Sequence, residues 1–186
     1  MAQLHGKKIA KTKAKRPAIS EELKLEIAER MKRRELLSPE KRKELDKALL
    51  EAAAEGEKEK VMRLLKKGAD IDAYGNGVQT ALLAAAWHNR TETVKLLIKN
   101  GADINKYEAN DWQTPLMTAI QRGDTEACAF LIEKGADVDA KDRYGQTALT
   151  WALEKGHTGA ARILMQYKIF GKDYREFSSK FEQCVK

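Results

Sequence analysis

The chain has 186 residues, of which 42% are hydrophobic and 34% charged, with a net charge of +7; this suits one domain, or one domain with an arm. No apolar run reaches the roughly 18 residues of a membrane span, no apolar stretch follows the basic N-terminus, and two cysteines cannot build a disulfide framework. A membrane protein, a secretory precursor and a disulfide scaffold are therefore excluded as first readings, and a reducing, cytoplasmic compartment is expected.

Residues 1–18 form the first segment. They carry Lys7, Lys8, Lys11, Lys13, Lys15 and Arg16 and no acidic side chain. So few apolar groups cannot offset the entropy of ordering, so a disordered basic tail is expected. A solvated tail without a dedicated partner accounts for it. So does a contact with nucleic acid or an anionic surface, or a nuclear-targeting signal. The remaining 168 residues hold 29 basic and 28 acidic side chains, and residues 101–150 run acidic, with nine against five. The body of the chain thus lacks the uniformly basic surface of a nucleic-acid-binding domain.

Residues 19–37 read as a helix. Ser20 can cap it, Glu21 and Glu22 suit the positive end of its dipole, and Ile19, Leu23, Ile27 and Met31 fall four apart. The expected role is a cap on the repeats that follow; a partner-binding or dimerising helix is the alternative. A second start signal follows, with Ser38 as N-cap and Pro39 at the first helical position.

From here the chain repeats. GADIDA begins at Gly68, GADINK at Gly101 and GADVDA at Gly135, spaced 33 and 34 residues apart. TALLAAA, TPLMTAI and TALTWAL begin at Thr80, Thr114 and Thr147, spaced 34 and 33. A degenerate copy, KALLEAAAEG, begins at Lys47. Leu49, Leu82, Leu116 and Leu149 align, as do Ala52, Ala85, Ala119 and Ala152, and later Leu64, Leu97, Leu131 and Leu164. Each unit reads as two short helices with apolar faces at helical period. Gly56, Asn89, Gly123 and Gly156 stand between the two helices, where a left-handed residue is wanted. The expected repeats are residues 38–70, 71–103, 104–137 and 138–170. Residues 171–186 remain as a C-terminal helix or tail, with Tyr174, Phe177, Phe181 and Val185 at helical spacing.

These residues resemble the ankyrin repeat. Thr114-Pro115-Leu116 is similar to its helix-start motif, Asp142 to Thr147 to its Asp-x-x-Gly-x-Thr turn, and Gly156-His157 to its inter-helix pair. The resemblance covers residues 45–170. The departures are local: Ala81 and Ala148 stand for Pro, Val78 and Trp112 for the turn Gly, and the loop before Thr114 is one residue longer than its neighbours. The fold class implied is all-α with short hairpin loops, an ankyrin-repeat solenoid with N- and C-terminal capping helices. Such a stack is stabilised by interfaces between neighbouring units.

The resemblance also implies a concave binding face of hairpin tips and first helices. Carried over by position, the candidate protein-binding residues are Tyr74, Asn76, Gln79, Trp87, His88, Tyr107, Asp111, Trp112, Gln113, Gln121, Arg122, Arg143, Tyr144 and Gln146. Aromatic residues are 6% of the chain, yet five fall at or beside these positions. Trp and Tyr anchor interfaces, so Trp87 with Tyr74 and Tyr107 is the expected hot spot. Trp112 tucks against its own loop or stands free; Trp151 is expected to pack. Asp70, Asp72, Asp103, Glu108, Asp111, Asp137, Asp139 and Asp142 make the hairpin edge acidic, which suits a basic or mixed-charge protein segment better than a phosphate backbone.

No catalytic motif appears, and neither a cofactor nor a metal site is expected. The function expected is a non-enzymatic scaffold or adaptor, monomeric, binding a protein partner. The alternative is a tail-driven binder of nucleic acid or an anionic surface, or a nuclear-targeted regulator, with the repeats as accessory.

Overall fold

The computed structural model describes residues 20–170. The basic tail and the expected C-terminal helix lie outside the described residues. Within them are nine helices and no strand: α1 (Glu21–Glu35), α2 (Pro39–Glu55), α3 (Lys58–Lys66), α4 (Ala81–Trp87), α5 (Thr91–Lys99), α6 (Pro115–Gln121), α7 (Thr125–Glu133), α8 (Ala148–Glu154) and α9 (Thr158–Phe170). The chain is a helical solenoid. Each first helix packs on the next, α2 on α4, α4 on α6 and α6 on α8, and the second helices α3, α5, α7 and α9 follow suit.

Local chemistry sets the helix starts. Thr80, Thr114 and Thr147 each accept the backbone N–H three residues on through Oγ1. Ser20 and Ser38 do the same for α1 and α2. Such a cap contributes about 1 kcal/mol. Between the paired helices Gly56, Asn89, Gly123 and Gly156 all have positive φ. The core runs unbroken along the stack, through Leu49, Leu65, Leu82, Leu97, Leu116, Leu131 and Leu164, all fully buried.

The GAD motifs do more than shape their own turns. Asp46 Oδ1 accepts the Asp70 amide, Asp70 accepts that of Asp72, and Asp72 reaches the next unit to accept that of Asp103. Asp103 then accepts from Asn105, Asn105 from Asp137, and Asp137 from Asp139, at 2.8 to 3.1 Å. These rungs connect successive units along one edge. The ladder ends in cations: Arg34 holds Asp46 at one end, and Lys168 meets Asp139 at 2.7 Å at the other.

The first unit is built differently. α2 has 17 residues where α4, α6 and α8 have seven. Its N-terminal half is helical where the later units carry a hairpin. A groove of about 410 Å³ separates Lys43, Glu44 and Lys47 on α2 from Tyr74 and Gly77 on the first hairpin.

α1 contacts both the first and the second unit. It lies across the turns after α3 and α5: Arg33 donates to the Lys66 carbonyl, Arg34 to that of Gly68 and Arg30 to the Asn100 side chain, while Ile27 packs over Gly101. Of the stripe expected to pack, Leu23 and Ile27 are half-buried, Met31 is exposed, and Ile19 lies outside the described residues. A strict four-residue step overshoots the 3.6-residue turn and drifts around the helix. The seated line is therefore Leu23, Ile27, Arg30 and Arg34, half of it basic.

Candidate protein-binding face

The hairpin tips and the ends of the first helices present the candidate residues. Trp87, the last residue of α4, is 40% exposed, and the Arg122 guanidinium after α6 lies 5.1 Å from its ring centroid. His88 and Arg122, the residues that end α4 and α6, are exposed, and Gln121 is half-buried. On the first hairpin Tyr74 is half-buried; its hydroxyl donates to the Tyr107 carbonyl at 2.9 Å, and the Lys106 ammonium lies 5.0 Å from its ring centroid. The structure thus joins Tyr74 to Tyr107, while the contact made by Trp87 is with Arg122.

Other candidates have structural duties. Asn76 Oδ1 accepts the amides of Val78 and Gln79, which closes the hairpin tip around half-buried Gln79. Gln146 donates to Glu154 at 2.7 Å. Asp142 is buried: it accepts the amides of Tyr144 and Gln146 and the indole N–H of Trp151. It organises its hairpin from within rather than adding to an acidic outer edge. Trp151 is half-buried against this carboxylate and the core.

The longer loop before Thr114 has its own geometry. The Glu108 amide donates to the Gln113 carbonyl and the Trp112 amide to the Glu108 carbonyl. Trp112 is left at φ +58°, the left-handed region, where the next unit has Gly145 at φ +79°. It stands 51% exposed rather than tucked in. The Arg143 amide donates to the Asp111 carbonyl, which joins this tip to the next one, where Arg143 is exposed and Tyr144 is 71% exposed. Tyr107 is 49% exposed. Four large rings therefore face solvent over three adjacent units.

Sequence reasoning missed two features of this region. One is the strain at Trp112, for which its place at a turn-glycine position was the available signal. The other is the division of labour among the acids. The GAD aspartates are engaged with backbone amides, whereas Glu108 and Asp111 lie beside each other, and burial together with the Asp111 charge pushes the Glu108 carboxyl above the usual carboxylate range. Lys7, Lys8, Lys11, Lys13, Lys15 and Arg16 lie outside the described residues.

Among the described residues no group of three or more His, Cys, Asp or Glu is placed to hold a metal ion, and no helix is long and apolar enough to cross a membrane. The sequence matches the family model for ankyrin repeats in three copies, over residues 24–108 and 104–176. No curated protein matches it.

Proposed function

Because the chain belongs to the ankyrin-repeat family, whose repeats are generally protein-interaction modules, we propose that it is a non-enzymatic scaffold or adaptor that takes a protein partner on its hairpin tips and first helices. One observation supports this reading above the others: Trp87, Tyr107, Trp112 and Tyr144 are all exposed along adjacent units of one stack. Soluble surfaces rarely keep such rings together without an interface to fill. The repeats bind as one body under this reading, residues 1–18 form a separate arm, and residues 171–186 cover the end of the stack.

The test is affinity capture from lysate with the full chain and with its Trp87→Ala/Tyr107→Ala variant, eluted in rising salt. A protein retained by the first and lost by the second supports the reading. The same proteins on both baits would remove it.

A further inference from the structure

The second and third hairpin tips carry exposed rings and, among the described residues, two carboxylates with no cationic partner. Most acids on this edge are engaged: Asp72, Asp103 and Asp137 in the amide ladder, Asp139 with Lys168, Asp142 with two amides and an indole. Glu108 and Asp111 differ. Neither carboxylate has an ion-pair or hydrogen-bond partner among the described residues, and burial together with the Asp111 charge raises the cost of charging Glu108. Arg143 and Lys141 lie on the neighbouring tip, and neither forms an ion pair with them.

Three rings accompany this pair. Trp112 lies between Asp111 and Gln113 in the same closed loop, Tyr107 precedes Glu108, and Tyr144 follows Arg143, whose amide is bonded to the Asp111 carbonyl. An aromatic face attracts a cation through its quadrupole, and a nearby carboxylate adds charge attraction. Trp112 holds its place at a cost. A bulky residue in left-handed backbone is strained by roughly 1–2 kcal/mol, where glycine would be strain-free.

From the free carboxylate pair and the three rings, we infer that this tip receives a single cationic side chain, an arginine or lysine borne on an extended basic segment of the partner. The inference rests on the protein-binding reading and names the chemistry of what is bound. The carboxylates set the charge and the rings supply the faces. An acidic ligand would meet two unpaired negative charges, and a purely apolar one would leave Glu108 further desolvated.

The test is an NMR titration of the full chain that follows the indole N–H of Trp112. The probe is an arginine–glycine repeat peptide, beside the same peptide with each arginine replaced by neutral citrulline. The arginine peptide is expected to shift the Trp112 signal and the citrulline peptide to leave it in place. Glu108→Gln should weaken binding about tenfold. Trp112→Gly should abolish it while melting no lower than the unaltered chain, which separates loss of the site from loss of the fold. Equal shifts with both peptides, or no shift with either, overturn the inference. If in that case lysate capture still depends on Trp87 and Tyr107, the protein-binding reading stands alone. If the peptide binds only after residues 1–18 are deleted, the occupant is the chain's own basic tail, and an external basic partner is overturned.

Discussion

Arg34 and Asp46 meet through both terminal guanidinium nitrogens and both carboxylate oxygens, at 2.7 and 2.8 Å. The same Asp46 oxygen that faces Arg34 Nη1 accepts the Asp70 amide at 2.9 Å. One carboxylate thus ties α1, α2 and the first hairpin together. Asp46→Ala leaves a partly buried arginine and a backbone amide unpaired, and the expected loss is about 2–3 kcal/mol. Asp46→Asn keeps an acceptor for the amide and should lose less. Urea unfolding of both variants checks the order; equal midpoints would show that the pair does not hold the elements together.

Gly68 and Gly135 occupy equivalent turns at φ +98° and +91°. A Cβ on Gly135 meets nothing within 4 Å, whereas one on Gly68 would lie 3.0 Å from the backbone nitrogen of Arg34. Gly135→Ala should cost about 1–2 kcal/mol from backbone conformation alone. Gly68→Ala should cost at least about 1 kcal/mol more, since α1 must shift. Hydrogen exchange should quicken in α1 for the Gly68 variant only. Matching exchange in both would mean α1 is not seated on this turn.

Cys128 is fully buried on α7, and burial, with a contribution from Asp124, pushes its thiol up from 9.0 to about 12. The folded chain therefore holds a proton that the unfolded chain releases above pH 9. Stability from this group is complete below pH 9 and is lost as pH rises towards 12, by about 1.4 kcal/mol per unit. Cys128→Ala should flatten the alkaline fall by that amount. In a Cys184→Ser background, thiol labelling of Cys128 should keep pace with global unfolding rather than occur in the native state.

The far end of the stack exposes Leu153, Met165 and Ile169 beside a groove of about 360 Å³. If residues 171–186 cover it, ending the chain at Phe170 should increase binding of an apolar dye and lower the melting temperature. A truncated chain indistinguishable from the full one would exclude that role.

The repeat was legible because two landmarks, GAD and the helix-start threonine, each recur with nearly constant spacing. Caps and core leucines followed from local chemistry and helical period, which act over a few residues. What stayed hidden depends on pairing across the stack. The seat of α1 relies on Arg30 and Arg34, and arginines in a charged helix look solvated until the carbonyls and carboxylate that meet them are placed. Asp142 looked like one more acid on an open edge, because its three donors converge only in the folded hairpin. Trp112 could be read as buried or free, and the loop closure at Glu108 decides in favour of exposure.

The Asp-to-amide ladder makes the solenoid's length editable but its phase fixed. Each incoming unit must offer an amide to the acid before it and supply a short acceptor of its own, and Asn105 shows that a neutral carboxamide transmits the sequence as well as a carboxylate does. A whole unit spliced in with its Asx pair would pass the connection on, whereas a deletion of one residue within a GAD turn would break the rungs of that turn and leave those between later units as they are.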